Sequence, residues 1–213
     1  MPGLPIVGLG AVCAAGRTPK EAFSAVVAGH DSLTPLSLFD SGLKQIPLCA
    51  QVTLSTLAQG PTNRTLDLAL EASQQALAGI QRDTSLRIGL VFATTVAGMT
   101  RSEQFYRSLV TDNSCLPSSG QEFSFHEPTA LAGSICREFH LDGFLTISTA
   151  CSTGLHAIGL AKRLIENDRF DLCLAVGADA LSILTIRGFA SLLLIDGNGC
   201  RPFDCRRAGI SLG

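Results

Sequence analysis

Apolar positions along the chain fall into two kinds of run. Short continuous runs bounded by glycine or other small residues occur at 5–10, 87–93 (R-I-G-L-V-F-A), 145–147 and 170–177 (F-D-L-C-L-A-V-G). Their length and composition suit strands buried on both faces. Between them lie stretches with helical spacing. Residues 18–28 start with Thr18 as N-cap and Pro19 in the first turn, stop at Gly29, and put Ala22, Phe23, Val26 and Val27 on one face. Residues 63–80 align Leu66, Ala69, Leu70, Ala76 and Leu77. Helices are also predicted over 99–110, over 128–139 with Pro128 at the start, and over 155–165, while 180–194 reads as mostly helix or turn. The stretches 30–61 and 111–127 read as cap or loop excursions, the first with a short strand near 50–54. Asp196-Gly197-Asn198-Gly199 is a loop, and 200–213 leads into a further strand. Alternating strands and helices indicate an α/β fold with a mixed, mostly parallel, roughly five-stranded sheet covered by helices.

Composition sharpens this picture. The 213 residues are 46% hydrophobic and 16% charged, which implies buried strands or apolar surface covered by something else. A net charge of −2 gives no field for nucleic acid or an anionic membrane. The stretch 183–195 is the nearest to a membrane span, but it is short and interrupted by Arg187 and Gly188. The N-terminus has no basic leader, so a cytoplasmic protein is expected. Its eight cysteines (13, 49, 115, 136, 151, 173, 200 and 205) form no C-x-x-C pair and read as reduced thiols. Neither a metal nor a cofactor is implied. Gly8-Leu9-Gly10 opens like a dinucleotide fingerprint, but Cys13 occupies the position of the third glycine.

The chemistry concentrates in L-T-I-S-T-A-C-S-T-G, residues 145–154. A strand, a sharp turn carrying Cys151 and a helix start are expected there. A helix N-terminus offers unpaired N–H groups and partial positive charge, and both favour a thiolate, the nucleophilic form. Ala150, Ser152 and Gly154 leave room for a carbonyl to approach the sulfur. Equally, most free cysteines are small buried hydrophobes. Position alone does not separate the two readings. The spacing differs from the hydrolase elbow G-x-S-x-G, since Thr149 stands two residues before Cys151 and Gly154 three after.

T-A-C-S-T-G-L-H-A-I (149–158) resembles the active-site signature of the β-ketoacyl synthases, the condensing enzymes of fatty-acid and polyketide synthesis. I-V-G-L-G-A-V-C-A-A-G (6–16) is similar to that family's opening strand and loop, and L-A-V-G-A-D-A-L-S (174–182) to its strand after the nucleophile helix. C-R-P-F-D-C-R-R-A-G-I-S-L-G (200–213) resembles its R-P-F-D segment. The similarity runs through the whole chain in order. It implies a thiolase-like fold, of which residues 1–213 correspond to the N-terminal half of the α-β-α-β-α layers. The C-terminal domain, with two catalytic histidines, a lysine and part of the oxyanion hole, is expected outside these residues. On this reading the 213 residues alone do not complete a condensation.

The resemblance implies that Cys151 accepts an acyl group from a thioester of acyl carrier protein or coenzyme A. Malonyl-acyl carrier protein then loses carbon dioxide and its enolate attacks the acyl-enzyme. The backbone N–H of Cys151 would serve the oxyanion. Acyl carrier protein is the implied partner, with a homodimer or ketosynthase-like heterodimer as the assembly. A non-catalytic partner subunit of the chain-length-factor type is the competing reading. It ranks lower because such partners usually lack the cysteine. Among the histidines, His30, His126 and His140 are read as solvated, and His156 as helix packing. Arg64 matches a region that meets the carrier protein in the family, but a solvated arginine at a helix start is the favoured reading; Thr111 matches a region that reaches towards a partner subunit's pocket, and Asp204 is read as structural. Asp179 stands where many members carry Glu, and Ala208 where they carry Asp, which removes a local hydrogen-bond partner.

Overall fold

A computed structural model describes residues 3–53, 63–81, 83, 85–112 and 123–213. The chain divides into two units, Met1–Gly10 with Ala58–Ala180, and Ala11–Leu57 with Leu181–Gly213.

The second unit contains α1 (Pro19–Val27), β1 (Leu33–Pro35), β2 (Leu48–Ala50) and α6 (Ile183–Ser191). The first contains α2 (Arg64–Leu77), β3 (Ile88–Ala93), α3 (Met99–Asp112), α4 (Pro128–Glu138), β4 (Gly143–Ile147), α5 (Thr153–Glu166) and β5 (Leu172–Gly177).

In the first unit, β3 lies between β4 and β5 in a parallel sheet of order β4-β3-β5. The register sets Ala93 opposite both Ile147 and Gly177, so the three strands end level. Every residue of β3 is buried. Its side chains alternate between two cores, as the pleat requires. Leu90 and Phe92 pack with Ala69 of α2 and Leu131, Ala132 and Ile135 of α4. On the other face, Val91 and Ala93 pack with Ala157 and Ala161 of α5. The doubly covered parallel sheet read from the sequence is therefore present. Three strands form it, and the other two form an antiparallel pair in the second unit.

At the starting end of the sheet, the Arg87 guanidinium donates to both carboxylate oxygens of Asp171 at 2.9 Å and to Asp168 Oδ1 at 2.7 Å. These hydrogen bonds hold the Asp171 carboxyl down at about 2. This ties the chain entering β5 to the residue that enters β3.

Two expected strands are not realised. Residues 5–10 form no ladder among the described residues; their backbone lies against α2. A Cβ on Gly8 would sit 2.0 Å from the Ala76 carbonyl oxygen, and one on Gly10 would sit 1.8 Å from that of Ala72. Leu4, Ile6, Val7 and Leu9 stay exposed. In 200–213 only single bridges form, Ile195 with Ile210 and Cys49 with Leu212.

The second unit closes over Leu36, Cys49, Leu181 and Ile186. Thr18 caps α1 by accepting from Glu21 N–H at 3.2 Å, and Ser182 caps α6 through Thr185 N–H at 3.1 Å. The expected apolar face of α1 is not a core face, because Phe23, Val26 and Val27 are all exposed. The short strand expected near 50–54 is β2, at Leu48–Ala50. It stops there because the Gln51 side chain turns back on the paired strand. Its Oε1 accepts from Ser37 N–H at 2.8 Å and its Nε2 donates to the Pro35 carbonyl at 2.9 Å. The rest of the first excursion, from residue 54, and residues 113–122 of the second lie outside the described residues.

No helix among the described residues is long and apolar enough to cross a membrane.

Candidate active site

The carboxyl ends of parallel strands are where open α/β sheets bind ligands. Here those ends carry three turns. Thr94–Gly98 follows β3, residues 148–152 link β4 to α5, and Ala178 and Asp179 follow β5. The Asp179 carboxylate gathers the β3 turn. Its Oδ1 accepts from Thr94 Oγ1 at 2.7 Å, Thr95 N–H at 2.8 Å and Val96 N–H at 3.0 Å. Oδ2 accepts from Thr95 Oγ1. Ala178 N–H donates to the Ala93 carbonyl at 3.0 Å, so the two strand ends are bound at backbone level as well.

Cys151 sits in the middle turn, exposed, two residues ahead of the first helical residue of α5. The turn is sharp because Ala150 adopts φ 53°. A non-glycine residue in that region costs roughly 1–2 kcal/mol. The surrounding hydrogen bonds offset this. Thr153, buried at the helix start, accepts from Thr149 N–H at 2.8 Å and donates to the Ala150 carbonyl through the same hydroxyl. Thr153 N–H also donates to that carbonyl at 3.0 Å. Ser152 is the N-cap residue, yet its hydroxyl makes no cap bond; it donates to the Thr149 carbonyl at 2.9 Å. Beyond Thr153 N–H, which is taken by the Ala150 carbonyl, no side chain caps α5, so its first turn can meet a negative charge arriving from outside.

The other thiols differ in setting. Burial pushes Cys49 and Cys136 up, and Cys173, on β5 and facing the core against α5, up to about 11. They are held as thiols at neutral pH. Cys13 and Cys205 are exposed like Cys151, but neither stands at a helix start. Around Cys151 the approach is open: a Cβ on Gly154 would meet nothing within 4 Å.

Residues 55–213 match the family described as Beta-ketoacyl synthase, N-terminal domain. The chain belongs to the β-ketoacyl synthase family. It is 28% identical over 232 residues to 3-oxoacyl-[acyl-carrier-protein] synthase 2 of Coxiella burnetii, covering 98% of this chain and 55% of that protein. It is 25% identical to the tetracenomycin polyketide synthase ketoacyl synthase alpha subunit of Streptomyces glaucescens, covering 98% of this chain and 54% of that one. Among solved structures, a β-ketoacyl synthase from Burkholderia phymatum superposes with a TM-score of 0.81 at 25% identity, over 97% of this chain and 55% of that one. A ketosynthase in complex with its chain length factor from Xenorhabdus doucetiae gives 0.82 at 26%, over 100% and 57%. The thiolase-like fold expected from the sequence is therefore that of this chain. The chain spans about half the length of the curated relatives it matches.

Within this β-ketoacyl synthase domain, the other residues singled out from sequence have separate settings. Arg64 opens α2, and burial pushes its guanidinium down from the ordinary arginine range, so it is not simply solvated. Thr111 bonds back to the Arg107 carbonyl at 3.1 Å within α3. Asp204 accepts from Arg206 N–H at 2.7 Å, the local structural role expected of it. Ala208, without the acid, is held through its backbone: its N–H donates to Oδ2 of buried Asp196 at 3.3 Å.

Two histidines differ from expectation. His126 is half-buried, with Nδ1 2.8 Å from the buried Ser102 hydroxyl. His156 is exposed rather than packed, with Nδ1 2.7 Å from Thr149 Oγ1 and 3.3 Å from Ser152 Oγ. Sequence reasoning missed this last cluster. Part of its signal was available in Ser152 and His156, four residues apart at a helix start; Thr149 precedes the helix and joins them only through the turn at Ala150. Among the described residues no three His, Cys, Asp or Glu side chains cluster to hold a metal ion.

Proposed function

We propose that this chain supplies the nucleophile of a β-ketoacyl-acyl carrier protein synthase, and that the nucleophile is Cys151. The supporting observation is the exposed cysteine on a strained turn at the uncapped start of α5, at the carboxyl end of a parallel sheet. The Cys151 sulfur attacks the carbonyl of an acyl thioester. The donor's C–S bond breaks and its carrier leaves as the thiol, taking up the proton that Cys151 gave up, with the acyl group now on Cys151. A malonyl thioester, delivered by acyl carrier protein, loses carbon dioxide to give an enolate. That carbon attacks the acyl-Cys151 carbonyl, a C–C bond forms, and the acyl C–S bond breaks, releasing a 3-oxoacyl thioester and returning the Cys151 thiolate. Negative charge on the carbonyl oxygen is met by the N–H of Cys151 at the helix start. The groups that promote decarboxylation lie outside the residues described here. The similar proteins include both a 3-oxoacyl-[acyl-carrier-protein] synthase and a ketosynthase in complex with its chain length factor. We extend both to this chain as partners: an acyl carrier protein, and a second ketosynthase-like subunit.

The test is intact and peptide mass spectrometry of the protein, as its natural gene encodes it, after incubation with hexanoyl-coenzyme A. One hexanoyl group on the Cys151 peptide, absent in Cys151→Ala, is the expected result. Addition of a malonyl thioester should release the label as 3-oxoacyl product. An unmodified Cys151 in the folded protein would overturn the assignment and favour a non-catalytic partner subunit.

A further inference from the structure

The turn around Cys151 is fastened by a histidine on α5. His156 lies one helical turn beyond Ser152, and its N–H donates to the Ser152 carbonyl at 3.0 Å. Its ring returns to the turn itself. Nδ1 sits 2.7 Å from Thr149 Oγ1 and 3.3 Å from Ser152 Oγ. Ser152 Oγ in turn donates to the Thr149 carbonyl at 2.9 Å and lies 3.2 Å from Thr149 Oγ1. Residues 149 and 152 flank the pair Ala150-Cys151, and both are bonded to the same imidazole nitrogen. Among the described residues no hydrogen bond joins His156 to the Cys151 sulfur, so the ring is not placed as its base.

We propose that His156 is a positioning residue for the acyl transfer at Cys151. Through Thr149 and Ser152 it holds the strained turn in the one geometry that presents sulfur and backbone N–H to the same carbonyl. This rests on the reading of Cys151 as the nucleophile. Without the ring, Thr149 Oγ1 and Ser152 Oγ are free to bond water, because both residues are exposed. The turn then keeps the bonds of Ala150 to Thr153 and of Ser152 Oγ to Thr149, but loses the ring that ties both hydroxyls to α5. A turn that samples other conformations spends less time with sulfur and N–H aligned, and misalignment slows a reaction without removing any reacting atom. Asparagine carries a polar atom close to where Nδ1 lies, whereas glutamine carries it one bond farther, near the Nε2 position. The two substitutions therefore test one atom of the ring.

The experiment measures the rate of Cys151 acylation by hexanoyl-coenzyme A in the full protein, with thermal midpoints alongside. His156→Ala is expected to slow acylation about tenfold with little change in midpoint, as for a lost orienting contact on an exposed residue. His156→Asn should recover the rate to within about threefold and His156→Gln should not. Thr149→Val should match His156→Ala, and the double variant should be no slower than either single one. Acylation at the wild-type rate in His156→Ala, or equal rates in the Asn, Gln and Ala variants, would overturn the proposal. If His156→Ala does not fold, Thr149→Val and His156→Asn decide from the other end of the same bond. Absence of acylation in the wild-type protein would instead sink the assignment of Cys151, so the two failures are distinct.

Discussion

Ala150 is the residue on which the turn's geometry converges. It adopts φ 53° directly before Cys151, a conformation glycine reaches without steric cost. Ala150→Gly is therefore expected to leave stability unchanged or raise it by about 0.5–1 kcal/mol, the reverse of the usual alanine-to-glycine effect. Urea unfolding of the two proteins checks this. Thr153→Val should act in the opposite direction. It removes the acceptor for Thr149 N–H and a donor to the Ala150 carbonyl at a buried site, and should cost about 2 kcal/mol. The turn itself was legible in the sequence, since small residues 149–152 stand between an apolar β-branched run and a stretch with helical spacing. The left-handed alanine was not, because alanine carries no preference for that region. Nor was the ring of His156. Periodicity placed it on α5, but which way it faced depended on bonds to Thr149 and Ser152.

At the scale of elements, helix ends were the most legible feature, because each is fixed by local chemistry. Thr18 was legible as a cap and Pro19 and Pro128 as helix openers, whereas Asn63 and Ser182, which also accept from the third residue on, were not singled out. The parallel strands were legible for a similar reason. The run 87–93 is apolar throughout, and β3 is buried throughout. What failed were the strands at 5–10 and 200–213, since a ladder requires a partner that composition does not reveal. The clamp between β3 and β5 also escaped notice, being formed by residues 84 apart in sequence. It has a consequence in acid. Hydrogen bonds from the Arg87 side chain, and then from its backbone N–H at 2.8 Å, lower Asp171 to about 2 from an ordinary 3.8. A depressed carboxylate contributes stability that is present above the unfolded value and lost as pH falls through the folded one. Unfolding midpoints of the wild type should thus fall between about pH 4 and pH 2 more steeply than those of Asp171→Asn. The variant should be less stable at neutral pH, and parallel curves would contradict this origin for the acid limb.

For the molecule as a whole, the apolar content has a visible destination. On α5, Leu155 and Ile158 are 73% and 59% exposed, and β4, with one neighbour in its sheet, exposes Phe144 and Leu145. Patches of this kind mark surfaces that meet another chain or another part of the same one. The 213 residues on their own are therefore expected to associate as concentration rises, and Leu155→Glu with Ile158→Lys should raise the monomer fraction. Sedimentation velocity across a concentration series reads this directly. A monodisperse wild-type monomer at every concentration would show that the exposed side chains are tolerated in water. Composition had signalled such a surface, in a hydrophobic share of 46% beside a charged share of 16%. It could not say that α1 and α5 would carry it.

The paired glycines at the front of the chain account for a false lead. Gly8-Leu9-Gly10 imitates the opening of a nucleotide fingerprint, yet both glycines have their cause in α2, whose Ala72 and Ala76 carbonyl oxygens occupy the space a methyl group would need. A pattern search that scores such spacing alone would enrol this domain among nucleotide binders, when what the spacing records is the rise of a neighbouring helix.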